Sequence, residues 1–244
     1  MANPAYRLPA RDSDFILGDT TRGIRFQLEY QKAEEHLRNW GVESTVVVFG
    51  SARIKSGDSS GWYEAAREFA RICSEEGGAK FNQSTFRENV IATGGGPGIM
   101  EAANRGAYDA GAPSIGYNIT LPHEQEPNAY STPDLTFLFH YFAMRKMHFA
   151  MRAAALVVFP GGFGTFDELF ELLTLRQTKK MTKPLPVILY DKAFWSRTIN
   201  FQSLVEAKLI SPNDLSLFNY ADSPQDAWDQ LRASGLKIPK EQTA

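Results

Sequence analysis

Two glycine-rich segments of the chain could bind an anionic group. They read Thr93-Gly-Gly-Gly-Pro-Gly98 and Pro160-Gly-Gly-Phe-Gly-Thr165, and each lies between a predicted strand and a predicted helix. Glycines let backbone N–H groups approach an anion, and the amino end of a helix adds a charge of about +0.5. The alternative is that both segments are tight turns whose backbone needs a positive φ. Because two such segments occur, a phosphate site is the favoured interpretation.

The common nucleotide motifs do not fit either segment. The chain has no G-x-x-x-x-G-K-[S/T] loop, and the pattern G-x-G-x-x-G fails because its last position falls on Ile99, Glu101 or Asp167. A dinucleotide is therefore disfavoured, and we expect a mononucleotide.

Glu168 is a candidate catalytic carboxylate with a competing explanation. The spacing Thr165-x-x-Glu168 matches a capping box, in which Thr165 caps the helix and Glu168 accepts from the Thr165 N–H. The other interpretation places Glu168 beside the phosphate segment, facing the ligand. The residues alone leave both open.

A second candidate group lies on the predicted helix 141–153. Arg145, His148 and Arg152 are spaced i, i+3 and i+7 and share a face, which is either solvated or directed at the ligand. If the face is directed at the ligand, the planar guanidinium of Arg145 can bind an oxygen or a ring nitrogen. The opposite stripe predicts core or a subunit interface and contains Met144, Met147 and Met151.

Other catalytic chemistries find little support. The four histidines are dispersed, and no G-x-S-x-G segment occurs. The one cysteine, Cys73, excludes an internal disulfide or a cysteine zinc site and is expected to pack in the core. Glu124 and Glu126 lie in the segment LPHEQEPNAY, where solvated side chains are favoured over a loop that closes on substrate.

The elements that position these groups alternate regularly. The strands are predicted at 45–49, 89–93, 114–117, 135–139, 155–159 and 186–190, and the intervening helices at 62–73, 99–107, 141–153, 166–177 and 194–208. Thr45–Phe49 is apolar and β-branched, which is typical of a strand buried on both faces. The alternation predicts an α/β fold, a Rossmann-like doubly wound parallel sheet with helices on both faces. Such sheets bind ligands at the carboxyl ends of their strands, where both glycine segments lie.

Three regions are predicted along the 244 residues: an N-terminal helical appendage at 1–40, a Rossmann-like nucleotide-binding catalytic domain at 41–210, and a C-terminal helical tail at 211–244. Lys and Arg number 26 against 28 Asp and Glu, which argues against nucleic acid as a partner. No secretory signal and no run of 18 apolar residues is visible, so we expect a cytoplasmic protein without a membrane partner.

The segments GGGPGIMEAANRGA, MRK and PGGFGTFDE resemble the Lonely Guy (LOG) family. The family signatures PGGxGTxxE and GGGxxGxM both occur in the expected order, and VVVFGSAR and GYNITLPHEQEPN resemble its longer subgroup. The resemblance covers about Val46 to Tyr190. It implies a phosphoribohydrolase that splits AMP or a cytokinin riboside 5′-monophosphate into the free base and ribose 5-phosphate.

The same resemblance assigns roles to individual residues. It implies Arg145 and Glu168 as the catalytic pair. The implied substrate contacts are Ser51, Gly94, Gly95, Gly96, Gly98, Met100, Lys146, Gly161, Gly162, Phe163, Gly164, Thr165 and Thr174. It implies no metal, no cofactor, and a homodimer or larger homo-oligomer. The alternative function is a non-catalytic carrier of a nucleotide or a molybdopterin-type cofactor.

Overall fold

The computed structural model describes residues 3–80, 86–122, 126–181 and 183–239. Seven parallel strands form one sheet in the order β4-β3-β2-β1-β5-β6-β7. They are β1 (Thr45–Phe49), β2 (Val90–Thr93), β3 (Ser114–Ile119), β4 (Thr136–Phe139), β5 (Ala153–Val158), β6 (Val187–Tyr190) and β7 (Asn219–Ala221).

Helices cover both faces of this sheet. They are α1 (Ser13–Leu17), α2 (Arg22–Asn39), α3 (Trp62–Glu76), α4 (Ile99–Asp109), α5 (Phe142–Arg152), α6 (Phe163–Gln177), α7 (Lys192–Thr198), α8 (Phe201–Glu206) and α9 (Pro224–Ala233). In the described residues, no helix combines the length and apolar character needed to cross a membrane.

The central strand β1 shows why the sheet is covered twice. Its residues are all buried, and successive side chains point to opposite faces. Val46 and Val48 pack into a core with α3, α4 and α9, whereas Val47 and Phe49 pack into a second core with α2, α5 and α6. The predicted doubly wound α/β fold is confirmed.

The strand order reverses between β1 and β5. Strands β2, β3 and β4 extend outward on one side of β1, and the chain then returns to place β5 on the other side. A reversal of this kind opens a crevice at the carboxyl ends of the two strands, which is where ligands bind in this architecture. Ser51 follows β1, and its N–H donates to the Pro160 carbonyl after β5 at 3.0 Å. The two ends are thus fixed to each other.

Three elements differ from the sequence prediction. Strand β7 lies in the segment interpreted as a helical tail, so the sheet continues beyond residue 210. The predicted helix 194–208 is two helices, because Asn200 caps α8 by accepting from the Ser203 N–H at 3.1 Å. Helix α6 begins at Phe163 rather than at Phe166.

The N-terminal helix α2 holds both ends of α5. At one end the Glu29 carboxylate accepts from the two backbone N–H groups that precede α5, at 2.8 and 3.3 Å, and Arg25 Nε donates to the Tyr141 hydroxyl at 2.9 Å. At the other end Glu34 forms an ion pair with Arg152. A carboxylate is favoured at the amino end of a helix by the helix dipole. The segment predicted as an appendage therefore supports the helix that carries Arg145.

Candidate active site

Arg145 and Glu168 meet above the carboxyl end of the sheet. Arg145 lies in the first turns of α5 and Glu168 in the second turn of α6, and the distance from Arg145 Nη1 to Glu168 Oε1 is 3.2 Å. Their side chains are only 13% and 8% exposed. The capping-box interpretation is wrong, because Gly162 is the N-cap of α6 and Thr165 is already its third residue.

The Arg145 guanidinium is held in place from two sides. Its Nε donates to the Tyr117 carbonyl at 2.7 Å, and its central carbon, Cζ, lies 5.0 Å from the centre of the Phe149 ring. A Cβ added at Gly94 would lie 2.5 Å from Arg145 Nη2. The absence of a side chain at Gly94 is therefore what gives the guanidinium room.

Burial controls the ionisation of this pair. It raises the pKa of Glu168 to about 7, although the positive charges of Arg145 and Lys146 act in the opposite direction. Burial also lowers the pKa of Arg145, and Glu168 counteracts this. A carboxyl group with a pKa near neutrality can give or accept a proton at physiological pH, which is a property of general acids and bases.

A cavity of about 620 Å³ lies directly in front of the pair. It opens at the strand reversal, between the ends of β1 and β5. Its lining consists of Phe49, Gly50, Ser51, Ala52, Arg53, Met100, Phe142, Arg145 and the first turns of α6, Gly162 to Glu168. Its size is in the range of small-molecule sites.

The first glycine turn, Gly94 to Gly98, is packed, and its carbonyl groups at Gly95 and Gly96 accept hydrogen bonds from Asn128. Asn128 donates from its backbone to the Gly95 carbonyl at 2.8 Å and from its side chain to the Gly96 carbonyl at 3.1 Å. A Cβ at Gly98 would lie 2.3 Å from the Ser51 carbonyl oxygen. These glycines lie behind Arg145 and Ser51 and outside the cavity lining.

The second glycine turn is open at Gly162 and Gly164, whereas Gly161 lies outside the cavity lining and an added Cβ there would lie 2.1 Å from the Thr165 hydroxyl oxygen. A Cβ added at Gly162 or Gly164 would meet no atom within 4 Å, and no side chain in the described residues caps the α6 amino end. The N–H groups of a first helical turn have no partner within the helix, so these groups can bind an anion in the cavity. Thr165 lines the cavity, and its hydroxyl forms no hydrogen bond among the described residues.

The remaining predicted contacts divide into two groups. Ser51, Met100 and Phe163 line the cavity, and Phe163 is 93% exposed at its mouth. Lys146 and Thr174 lie outside the lining and border an adjacent groove on α6. Lys146 Nζ pairs with Asp167 at 2.8 Å and with Glu171 at 2.9 Å. Thr174 is exposed, and its hydroxyl donates to the Phe170 carbonyl at 2.7 Å.

Sequence reasoning missed Arg53, Phe142 and Glu29. Arg53 and Phe142 line the cavity, and Glu29 holds the amino end of α5. The sequence contains a signal for Arg53, since it lies two residues after Ser51 at the end of a buried strand. Glu29 gave no local signal, because its partners lie more than a hundred residues away.

The solvated-face interpretation of α5 is also wrong. His148 is 1% exposed, burial lowers its pKa to about 4, and it is therefore neutral at pH 7. Arg152 binds Glu34, and Arg145 binds Glu168. Cys73 is buried in the core with α3, as predicted.

The remaining acidic candidates are Glu124 and Glu126 of the LPHEQEPNAY segment. Glu126 is exposed, in keeping with a solvated side chain, and Glu124 lies outside the described residues. Across the described ranges, no group of three or more His, Cys, Asp or Glu side chains is arranged to hold a metal ion.

A protein-family model described as "Possible lysine decarboxylase" matches residues 100–231, more than half of the chain. This region contains α5, α6 and both residues of the buried pair.

Curated relatives cover more of the chain at low identity. The probable cytokinin riboside 5′-monophosphate phosphoribohydrolase LOGL3 of Oryza sativa subsp. japonica is 25% identical over 184 residues, which span 67% of this chain and 83% of that protein. The cytokinin riboside 5′-monophosphate phosphoribohydrolase LOG2 of Arabidopsis thaliana is 25% identical over 154 residues, 57% of this chain and 70% of its own.

Solved structures share the fold. The structure of the protein TM1055 aligns with a TM-score of 0.54 at 20% identity and covers 78% of this chain and 99% of its own. The molybdenum cofactor binding protein of Rippkaea orientalis aligns with a TM-score of 0.51 at 19% identity, over 78% of this chain and 96% of its own. At these identities the likeness concerns the fold.

Proposed function

The chain belongs to the LOG family, and on this premise we propose that it hydrolyses the N-glycosidic bond of a nucleoside 5′-monophosphate. The products would be a free base and ribose 5-phosphate. The observation that carries the proposal is the buried Arg145–Glu168 pair, which faces a cavity beside the uncapped amino end of α6. The family names of the curated relatives support the same class of reaction.

Glu168 has the properties that this reaction requires. Cleavage of a glycosidic bond passes through an oxocarbenium-like state, in which positive charge develops on the sugar. A buried carboxylate beside the anomeric carbon stabilises that charge and can orient or deprotonate the attacking water. Because burial raises the pKa of Glu168 to about 7, it can exchange a proton at neutral pH.

Arg145 serves the leaving group in this proposal. The base departs with negative charge, and a guanidinium fixed by the Tyr117 carbonyl can stabilise it without moving. The phosphate is remote from the bond that breaks, so its binding energy is available to position the sugar. The open N–H groups at the start of α6 supply that binding.

The description of the family as a possible lysine decarboxylase does not fit the lysine at this site. Pyridoxal phosphate chemistry needs a lysine amine that forms a Schiff base. Burial lowers the pKa of Lys146, but hydrogen bonds to Asp167 and Glu171 outweigh it and raise the pKa above its ordinary value. Lys146 therefore stays a protonated ion-pair partner outside the cavity.

The test is a panel of nucleoside 5′-monophosphates, AMP and N6-substituted AMP included, with the free base measured by chromatography. We expect base release, and we expect Glu168→Gln to reduce it by about 10²–10⁴-fold while the protein stays folded. Glu206→Gln makes the same change at an exposed position at the end of α8 and should have wild-type activity. Wild-type turnover by Glu168→Gln would remove the proposed role of Glu168.

The alternative function is a carrier that binds a nucleotide or a molybdopterin-type group without cleaving it. The panel separates the two functions, because tight AMP binding without base release over hours favours the carrier. A homodimer or larger homo-oligomer stays a prediction, which sedimentation velocity tests directly.

A further inference from the structure

The charges around the cavity leave one cation free. Two arginines line it, Arg53 and Arg145. Arg145 is paired with Glu168, and the nearby Lys146 is paired with two carboxylates. Arg53 is exposed and has no acidic partner within the described residues. A phosphomonoester carries a charge of about −1.5 to −2 at neutral pH, which the paired residues cannot balance without giving up their own partners.

We propose that Arg53 binds the substrate phosphate together with Thr165 and the first-turn N–H groups of α6, and so makes the protein select phosphorylated over unphosphorylated nucleosides. The inference rests on the proposed function and deepens it. It adds a specificity-determining residue from the β1 side of the crevice, opposite α6.

The loop that carries Arg53 is fixed, although the side chain is free. The Arg53 N–H donates to the Ser51 hydroxyl at 3.1 Å. Ser51 is held in turn, because its N–H donates to the Pro160 carbonyl and its carbonyl accepts from the Ile99 N–H, both at 3.0 Å. The backbone of Arg53 is therefore tied to the ends of β1 and β5, while its guanidinium can reach into the cavity that it lines.

Thr165 offers a hydrogen-bond donor on the α6 side of the cavity, opposite Arg53. It lies in the first turn of α6 and lines the cavity, and its hydroxyl forms no hydrogen bond within the described part of the chain. The hydroxyl is therefore free to donate to an anion in the cavity. Anions favour this position because the helix dipole and the open N–H groups act in the same direction.

An arginine suits this task better than a lysine. Its planar fork can donate two parallel hydrogen bonds to phosphate oxygens, whereas an ammonium acts as a point charge. Removing the fork should therefore weaken every ligand with a 5′-phosphate. A sugar without the phosphate should not be affected.

The experiment measures calorimetric binding of ribose 5-phosphate and of ribose to wild-type protein and to Arg53→Ala and Arg53→Lys. We expect ribose 5-phosphate affinity to fall by about tenfold or more in Arg53→Ala, and to recover in part in Arg53→Lys. Binding of ribose should be the same in all three. Arg197→Ala, at an exposed position in the last turn of α7, is the matched control and should bind as the wild type does.

The outcomes separate this inference from the proposed function. If Arg53→Ala binds ribose 5-phosphate as tightly as the wild type, or the wild type does not bind it, the inference is wrong, whatever AMP assays show. If AMP is not cleaved but ribose 5-phosphate binding depends on Arg53, the proposed hydrolase fails and the phosphate site stands.

Discussion

The two glycine turns have similar sequences and opposite structures. Gly95 and Gly98 of the first turn have φ values of +70° and +74°, and added Cβ atoms there would collide with Asn118 and with the Ser51 loop. In the second turn Gly162 has a φ of −103° and open space in front of it. Glycine is needed for backbone geometry at Gly95 and Gly98 in the first turn and leaves access to the cavity at Gly162 and Gly164 in the second.

The position of each turn in the sheet explains the difference. The second turn follows β5, at the strand reversal where the crevice opens. The first turn follows β2, which is on the far side of β1 and is covered by Asn128. The first turn thus supports Ser51 and Arg145, while the second presents N–H groups to the cavity. Glycine content alone does not distinguish a support from a binding surface.

Gly98 in the first turn should not tolerate a side chain. We expect Gly98→Ala to lower the free energy of unfolding by about 2–4 kcal/mol, because it adds a positive-φ strain to a collision with backbone. Gly57→Ala is the control for strain alone, since Gly57 has a φ of +80° with no atom near its Cβ position. Chemical denaturation measures the free energy of unfolding of both variants. Equal losses in Gly98→Ala and Gly57→Ala would show that the packing of Gly98 against Ser51 does not contribute to stability.

Gly164→Ala should show the reverse behaviour. The added methyl meets no protein atom, and Ala is favoured over Gly in a helix, so the melting temperature should stay level or rise slightly. Because Gly164 lines the cavity, the KM for AMP should rise by about tenfold. Gly23→Ala, on α2 and equally open, should leave the KM unchanged. An unchanged KM in Gly164→Ala would show that the anion binds elsewhere.

The pH dependence of catalysis tests the ionisation of Glu168 on α6. The pKa of Glu168 is raised to about 7, so its carboxylate is present above that pH and is lost as the pH falls through it. We expect kcat/KM for AMP to fall about tenfold per pH unit below 7 and to be level above it.

The phosphate of the substrate ionises near pH 6 and must be distinguished from Glu168. Binding of ribose 5-phosphate over the same pH range identifies the phosphate contribution. If kcat/KM instead fell only between pH 4 and 5, burial would not shift the pKa of Glu168.

The smallest expected effect concerns the support behind Arg145. Glu29→Ala removes the acceptor for the two N–H groups before α5, and loss of such a cap costs about 1 kcal/mol. We expect kcat to fall about fivefold and Glu29→Gln, which keeps one acceptor oxygen, to recover part of it. Glu35→Ala, exposed on the same helix, is the control. An unchanged kcat would show that the Glu29 contacts do not position Arg145.

The sequence predicted the fold because its strands are strong local signals. Thr45–Phe49 is apolar and β-branched, the run before Pro160 is apolar throughout, and they form β1 and β5 at the strand reversal. Strand β7 was missed because three residues, Asn219 to Ala221, contain no readable alternation. The break before α8 did have a local signal, the capping residue Asn200.

The residues of the site could be predicted only where a local sequence motif carries the chemical groups. The capping-box match at Thr165 and Glu168 left the role of Glu168 open, and only the true start of α6 at Phe163 resolved it. The grouping of Ser51 with the second glycine turn depends on the strand order, which pairs β1 with a strand more than a hundred residues later. Long-range pairing of this kind leaves no trace in a local pattern.

The contacts of α2 with α5 determine how short an active version of this protein can be made. A chain trimmed to start at Thr45 would retain every strand and both glycine turns. It would also leave Arg152 without its buried counter-ion and the start of α5 without its carboxylate. Such a fragment could pass a test for secondary structure and still fail as a catalyst, so truncation studies should keep residues from Ser13 onward.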